Sequence, residues 1–248
     1  MVKLRFVAQF YFLKYNTNTM LKFDIITIFP QIFDSYFKTS LIKRAMENRL
    51  IQIKIHNLRD FTKDRHRTVD DKPFGGGLGM VLKIEPIYKA VRSLKLKNKN
   101  KNPAFAKASA GKVKVILFSP GARKFDQRMA YKLSKLDQII LVCGRYEGVD
   151  ERVAKYIADE EVSIGDYVLM GGEIPAMAVV ETVSRLVPGI VGKTQFLKER
   201  VTKGKGFAEY PQYTRPETFN KWRAPKVLLS GNHKEIEEWR KKHQKTIE

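Results

Sequence analysis

Two short polar turns carry the residues of this chain that are best suited to bind a ligand. One reads Gly144-Arg145-Tyr146-Glu147-Gly148 and follows the apolar run Ile139–Cys143, and the other, Gly171-Gly172, follows the run Ser163–Met170. Glycine lets the backbone approach a ligand closely where a side chain would block it. Because ligands bind at the carboxyl ends of strands in open α/β sheets, we expect both turns to form one pocket there.

Charge is distributed unevenly along the chain. Residues 139–185 contain nine acids and four bases, whereas residues 92–114 contain eight Lys or Arg and no acid. Residues 198–248 contain thirteen bases and seven acids, and the whole chain has a formal net charge of +21. This excess favours a polyanionic partner such as a nucleic acid. The predicted pocket is acidic, which would suit a small cationic ligand.

Composition excludes several classes of protein. With 248 residues, 43% hydrophobic and 29% charged, the chain has the composition of a globular protein. The apolar run within Met1–Thr19 is too short to span a bilayer, so we predict no membrane association. Cys143 is the single cysteine, which excludes a disulfide framework and indicates a reducing compartment, the cytoplasm. The four histidines are scattered without metal-ligand spacing, so we predict no metal site.

Strands and helices alternate around the two turns, which is typical of an α/β fold. We predict strands over Leu21–Phe29, Ile51–Ile55, Val113–Phe118, Ile139–Cys143 and Ser163–Met170. We predict helices over Gln31–Asn48, Glu85–Leu94, Phe125–Leu136 and Lys234–Lys242, a helix capped by Asp150, and one ended by Val187-Pro188-Gly189. Ser119-Pro120-Gly121 should close the third of these strands.

The segment from Asn57 to Met80 is predicted to form one long loop. Its Arg59, Arg65 and Arg67 could bind phosphate, and four glycines between positions 75 and 79 permit close backbone contact. Long loops in compact domains are usually functional or disordered, and the sequence alone is compatible with both.

Shifts in composition suggest how the chain is organised. We predict an extension over residues 1–19, a main domain over 20–188 that contains a low-complexity basic insertion at 95–111, and a linker over 189–206. Residues 207–248 should form a short, mainly helical C-terminal domain. We expect the extension and the insertion to be dispensable for activity.

Two common nucleotide-binding signatures fail. The stretch from Gly189 to Thr194 resembles a phosphate-binding loop, but Val187 stands where that motif requires its first glycine. The glycines from Gly75 to Gly79 also lack the last glycine of a dinucleotide-binding turn. An enzyme that uses nucleoside triphosphates is therefore the weakest of the functional hypotheses.

Several longer motifs, in order, resemble the bacterial tRNA (guanine-N1)-methyltransferase family of the SPOUT superfamily. They are Arg59-Asp60-Phe61, the run from Asp64 to Asp71, Gly75–Met80, the run from Leu141 to Arg152, Ser163–Leu169 with Gly171-Gly172-Glu173, and Tyr213-Thr214-Arg215-Pro216. The resemblance covers nearly everything from Met20 to Arg240. It implies a SPOUT-type parallel sheet with a C-terminal trefoil knot, and a homodimer with its active site between the subunits.

The resemblance also implies the reactants and the residues that bind them. The substrate would be the guanosine at position 37 of tRNA, 3′ of the anticodon, and the methyl donor S-adenosylmethionine; whether Mg²⁺ assists stays open. Residues matching the donor-contacting positions are Leu117, Ser119, Pro120, Gly144, Tyr146, Glu147, Ile164, Gly165, Asp166, Tyr167, Val168, Leu169, Gly171, Gly172 and Pro175. Residues expected to contact RNA are Arg59, Arg65, Arg67, Arg145, Tyr213 and Arg215.

Methylation of guanine N1 requires one proton transfer. A carboxylate must take the N1 proton, and a cation near O6 would stabilise the charge that develops. Arg185 matches the catalytic arginine of the family. The family places its aspartate base in the following linker, where this chain has Glu199 as the only acid, so we expect Glu199 to be the base. A SPOUT-like tRNA-binding protein that has lost catalysis is the alternative.

Overall fold

Five parallel strands form the central sheet of the protein. The computed structural model describes residues 20–99, 112–191 and 207–247. The strands are β1 (Leu21–Thr27), β2 (Ile51–Asn57), β5 (Val113–Lys124), β6 (Gln138–Val142) and β7 (Glu160–Ser163). Their order across the sheet is β2-β1-β6-β5-β7. The predicted α/β fold is therefore confirmed, and the carboxyl ends of β5, β6 and β7 lie side by side.

Helices cover both faces of the sheet because every central strand is apolar on both sides. One face packs on α1 (Asp34–Phe37), α2 (Ser40–Glu47), α4 (Gln127–Leu133) and α6 (Glu173–Arg185). The other face packs on α3 (Ile84–Lys99) and α5 (Glu151–Tyr156). All five residues of β6 are buried, as expected for the strand at the centre of this two-sided core.

Two predicted strand boundaries were wrong. Residues 164–170 form a turn instead of a strand, because the Ser163 hydroxyl donates to Gly165 O (2.8 Å) and accepts from Gly165 N (3.3 Å), which replaces ladder hydrogen bonds. The strand that precedes this turn is β7, which starts at Glu160. Ser119-Pro120-Gly121 does not end β5 either, since the pairing with β7 resumes at Arg123 after a bulge.

The helix predicted over Gln31–Asn48 is divided into three pieces. A 3₁₀ helix (Pro30–Phe33) and α1 are followed by a break, where the Thr39 hydroxyl donates to Tyr36 O (2.9 Å) and Ser40 adopts φ 55°. A side chain that satisfies the carbonyls at a helix end competes with continued helix formation. Helix α2 then starts anew at Ser40.

Other elements differ from prediction mainly at their ends. Helix α3 continues to Lys99, five residues beyond Leu94, because Lys and Leu favour helix. Asp126 accepts a hydrogen bond from Met129 N (2.6 Å), so α4 starts at Gln127. The helix capped by Asp150 is confirmed, since its carboxylate accepts from Arg152 N at 2.9 Å.

A short strand pair lies on the connection between β2 and α3. Strand β3 (Asp70–Asp71) lies within the segment predicted as one long loop and pairs with β4 (Val81–Leu82), which directly follows that segment. A 3₁₀ helix (Leu58–Phe61) lies near the start of the segment. Among the described residues, no helix is both long enough and apolar enough to cross a membrane.

The chain divides into two compact units between residues 194 and 195. The second unit contains α7 (Lys226–Leu229) and α8 (His233–Lys242). It also contains two antiparallel pairs, β8 (Phe207–Glu209) with β11 (Lys245–Ile247) and β9 (Thr218–Phe219) with β10 (Trp222–Arg223). The predicted helix over Lys234–Lys242 is confirmed, but the sequence did not predict the strands.

Candidate active site

A cavity of ≈ 240 Å³ lies beside the carboxyl ends of β5, β6 and β7. Three segments form its wall: the bulge of β5, the turn after β6, and the turn between β7 and α6. The lining residues are Phe118, Ser119, Pro120, Gly144, Arg145, Tyr146, Glu147, Gly148, Val162, Ser163, Ile164, Tyr167, Val168, Leu169, Met170, Gly171, Gly172 and Pro175. The two glycine turns, Gly144–Gly148 and Gly171-Gly172, therefore face one pocket, as predicted.

Most residues expected to contact the methyl donor line this cavity, and three do not. Leu117 is buried in β5, the Asp166 carboxylate is paired with Lys124, and Gly165 lies under the ring of Tyr167. Five further lining residues were not predicted from the sequence, although all but Val162 directly adjoin a predicted residue: Phe118, Gly148, Val162, Ser163 and Met170. Adjacency in sequence was the signal that could have found the other four.

The turn after β6 is held from the side by strand β4. Glu147 N donates to Met80 O (3.0 Å), Leu82 N donates to Gly148 O (3.0 Å), and Asp150 N donates to Leu82 O (3.0 Å). Within the turn, Tyr146 adopts φ 61°, a conformation uncommon for a residue with a side chain. These bonds and this backbone conformation set the direction in which the turn faces the cavity.

The second glycine turn lies directly against the first. Gly172 N donates to Gly144 O at 3.0 Å, and a Cβ atom on Gly172 would lie 2.7 Å from Cys143 Cα. Only glycine permits two backbones to approach this closely. Gly172 is therefore required by the contact between the two turns, in addition to any contact that it makes with a ligand.

A buried ion pair joins the same two turns. The Glu173 carboxylate, 1% exposed, accepts hydrogen bonds from Arg145 Nε (2.9 Å) and from the Thr27 hydroxyl (2.7 Å). The Arg145 guanidinium also lies over the ring of Phe29, 4.8 Å from its centroid. Burial raises the pKa of the neighbouring Cys143 thiol well above its usual range, and the Glu173 charge raises it further.

The expectation of an acidic pocket was largely wrong. Of the nine acids between residues 139 and 185, Glu147 alone lines the cavity. Glu160 is paired with Lys114 and Asp159 accepts from Val115 N at 2.7 Å, while Glu181 accepts from the Tyr36 hydroxyl at 3.0 Å. Nearness in sequence did not predict these positions, because side chains on strands and helices point to different sides of the sheet.

Comparison with known proteins identifies the family. A family model described as tRNA (Guanine-1)-methyltransferase TrmD matches residues 21–247. The chain belongs to this family. A tRNA (guanine-N(1)-)-methyltransferase from Dictyoglomus turgidum is 53% identical over 223 residues, 90% of this chain and 84% of the relative.

A second relative and a solved structure support the same family assignment. The enzyme of the same name from Citrifermentans bemidjiense is 47% identical over 224 residues, 90% of this chain and 85% of the relative. A crystal structure of tRNA (m1G37) methyltransferase from Aquifex aeolicus superposes with a TM-score of 0.70 at 38% identity, covering 90% of this chain and 88% of that one.

Of the two residues assigned to catalysis by likeness to the family, Arg185 does not line the cavity. Arg185 is exposed at the last residue of α6, whereas the cavity adjoins the first residue, Glu173. Twelve residue steps of helix separate them by about 18 Å along the axis. Glu199 lies outside the described residues.

Apart from Arg145, the residues that the family resemblance predicts to contact RNA form two groups. Arg59 Nη1 donates to Arg67 O (3.3 Å), Arg67 is paired with Asp60 (2.6 Å), and Arg65 is exposed on the same loop. In the second unit, Arg215 is exposed and the Tyr213 ring packs edge-on against Trp239, with 6.2 Å between centroids. No cluster of three or more metal-ligating side chains occurs in the described parts of the chain.

Proposed function

We propose that this chain transfers a methyl group from S-adenosylmethionine to N1 of the guanosine at position 37 of tRNA. The observation that carries the proposal is the convergence of three motif segments on one cavity at the carboxyl ends of β5, β6 and β7. The family match over residues 21–247 supports the same activity. That match does not favour the alternative of a tRNA-binding protein without catalysis, and it gives no support to a nucleoside-triphosphate enzyme.

The chemistry of the cavity fits the methyl donor. Apolar side chains of Ile164, Leu169 and Pro175 can cover the adenine ring, and the Glu147 carboxylate can face a cationic sulfonium. When bound, S-adenosylmethionine supplies a methyl group on a positively charged sulfur. The backbone groups of Gly144 and Gly172 hold the two turns together, so the residues of this chain would bind and orient the donor without large side-chain movement.

Two further residues would act on the guanine. A cation at O6 stabilises the negative charge that develops there, and we assign this role to Arg185. A carboxylate must accept the N1 proton, and we assign this role to Glu199, whose side chain is one methylene longer than that of the aspartate in the family motif. The methyl group leaves the sulfur of the donor, and the proton leaves N1 of the guanine. Neither step requires a covalent intermediate on the protein.

We further propose a homodimer in which each active site lies between two subunits. Arg185 lies about 18 Å along α6 from the cavity end of that helix, so a second copy is the simplest source of an arginine at the cavity. The proposal includes a SPOUT fold with a trefoil knot, which the motif resemblance implies and with which the five-stranded parallel sheet is consistent.

RNA would be bound by the basic surfaces of both units. Arg59, Arg65 and Arg67 lie on the segment before the cavity, and Tyr213 and Arg215 lie in the second unit. The net charge of +21 supports binding of a polyanion. We retain the domain scheme with a main domain over 20–188, a linker over 189–206 and a C-terminal domain over 207–248, and we place the activity in the cytoplasm with tRNA.

A methylation assay on two tRNA transcripts tests the activity. We expect transfer from labelled S-adenosylmethionine to a transcript with guanosine at position 37, and none to the matched transcript with adenosine there. Binding of the donor without any methyl transfer would contradict the proposal and favour the non-catalytic alternative. Repeating the assay with a chelator measures whether Mg²⁺ contributes.

The assignment of the base is tested by Glu199→Gln, with Glu209→Gln as the matched control. We expect the first substitution to lower the rate of single-turnover methyl transfer by roughly a hundredfold, the size of a typical general-base effect. The control lies in β8 and has no role in the proposed chemistry. A Glu199→Gln rate equal to that of the wild type would show that another group takes the proton.

A further inference from the structure

Glu173 is a buried carboxylate for which the proposed chemistry has no use. Its side chain is 1% exposed, and its two oxygens accept from different partners, Thr27 Oγ1 (2.7 Å) on Oε1 and Arg145 Nε (2.9 Å) on Oε2. A buried charge is costly unless it is paired and hydrogen-bonded. An apolar side chain would avoid that cost, so the arrangement calls for an explanation.

The hydrogen bonds of the Glu173 carboxylate join three separate segments. It is the first residue of α6 and directly follows Gly171-Gly172, while Thr27 ends β1 and Arg145 belongs to the turn after β6. Two of these segments are walls of the donor cavity. The backbones of the same two walls also meet, through Gly172 N to Gly144 O at 3.0 Å and a bridge between Arg145 and Gly171.

Arg145 is oriented inward, in contrast to the other arginines expected to contact RNA. Its side chain is 19% exposed, its Nε donates to Glu173, and its guanidinium lies over Phe29. By comparison, Arg65 and Arg67 are exposed, and Arg67 pairs with an exposed aspartate. A phosphate contact would require Arg145 to share this buried, already paired guanidinium with the RNA.

The same ion pair leaves no room for a side chain at Gly171. A Cβ atom at this position would lie 2.4 Å from Arg145 Nε and 2.7 Å from Glu173 Oε2. The absence of a side chain on Gly171 therefore makes room for the ion pair between the two turns. This requirement is independent of any contact between Gly171 and the methyl donor.

We propose that Glu173 and Arg145 are positioning residues for the methyl donor. The pair holds the turn after β6 against the turn before α6, and thereby keeps the two walls of the cavity at the separation that the donor needs. Arg145 acts through this contact and not as an RNA ligand. The inference rests on the proposed function, because it assumes that S-adenosylmethionine occupies the cavity.

Titration calorimetry of the full chain with S-adenosylmethionine, without RNA, tests the proposal. We expect Glu173→Gln to raise the donor Kd by roughly tenfold to a hundredfold, the range that corresponds to losing one hydrogen bond to a charged group. The KM for the donor should rise in parallel, while kcat at saturating donor and the KM for tRNA stay near wild type. Glu160→Gln is the matched control, because it breaks the ion pair with Lys114 in the same sheet but outside the cavity.

A second variant separates positioning from stability. Removing one partner leaves a buried charge unpaired, whereas the double variant Arg145→Met with Glu173→Gln removes both charges and can fold well. We expect the double variant to keep a cooperative thermal transition and to bind the donor as weakly as Glu173→Gln.

Two results would overturn this inference but leave the proposed function intact. One is a folded double variant that binds the donor with wild-type affinity, and the other is a defect confined to the KM for tRNA, which would make Arg145 an RNA ligand. A wild-type chain that fails to bind the donor would overturn the proposed function, and this inference with it.

Discussion

The cavity beside β5, β6 and β7 and the loop that carries Arg59, Arg65 and Arg67 are both built from turns rich in glycine and charge, but they are held in different ways. At the cavity, polar groups are buried and bonded to segments distant in sequence, as in the contact of Thr27 with Glu173. On the loop, Asp60 pairs with Arg67 and Asp64 with Thr68, within a few residues and in solvent. The cavity is thus preorganised by the fold, whereas the loop is organised locally.

This difference suggests a division of roles. A small ligand such as a methyl donor needs walls at a set separation, and buried contacts supply that rigidity. A phosphate backbone is bound mainly by charge, which acts over longer distances and tolerates side-chain movement. Substitutions in the two regions test this contrast.

Gly172→Ala should be the most damaging single change at the cavity. The new Cβ would lie 2.7 Å from Cys143 Cα, and backbone cannot move aside as a flexible side chain can. We expect a loss of about 1–3 kcal/mol of unfolding free energy, as for other overpacked sites, together with weaker donor binding. Thermal unfolding and calorimetry measure both.

Gly121→Ala is the matched control for that substitution. Gly121 lies in the bulge of β5, where an added Cβ would meet no atom within 4 Å. We expect wild-type stability and donor affinity from the control. Equal effects of the two substitutions would show that glycine flexibility, and not the contact with Cys143, is what matters.

The same chemical change at two threonines compares the regions directly. Thr27→Val removes a buried hydroxyl that donates to Glu173, and leaving a buried acceptor unsatisfied costs about 1–3 kcal/mol. Thr68→Val removes a hydroxyl that donates to Asp64 (2.8 Å) on the loop, where water can replace it, so we expect a change within about 0.5 kcal/mol. Chemical denaturation measures both values, and similar losses would contradict the contrast.

Arg67→Ala should affect RNA binding and leave stability nearly intact. Exposed ion pairs such as Arg67 with Asp60 contribute at most about 1 kcal/mol to stability. If the side chain contacts one phosphate, the slope of log Kd for tRNA against log salt should decrease by about one. Donor affinity should not change. An unchanged salt slope would exclude Arg67 from the RNA contact.

The smallest effect should be the pH dependence of the loop. Hydrogen bonds from the Thr68 backbone and hydroxyl lower the pKa of Asp64 below its ordinary value, and desolvation opposes them only in part. A lowered pKa in the folded state means that the stabilisation is present above the ordinary aspartate pKa and is lost as pH falls through the lowered one.

Amide exchange at Thr68 can report this dependence. We expect protection of the Thr68 amide to fall below the ordinary aspartate range, and Asp64→Asn to remove that pH dependence. The amide of Gly172 at the cavity, which donates to a backbone carbonyl, serves as the internal reference. Loss of protection at both amides over the same pH range would indicate global unfolding instead of a local change.

Features that depend on local pattern could be predicted from the sequence. Apolar runs predicted the strands β1, β2, β5 and β6, and the glycine turns were assigned to one pocket because parallel strands end at one edge. Ordered motifs indicated the family that the comparisons then established. These features follow from periodicity, turn chemistry and motif order, which are written along the chain.

Which charged groups meet depends on how segments distant in sequence pack together. The pairing of Glu173 with Thr27 spans 146 positions, and it depends on where helix α6 packs on the sheet. Eight of the nine acids do not line the cavity, and Arg185 lies at the end of α6 away from it. Local pattern cannot specify such contacts, because they are set by strand order and by the face on which each helix packs.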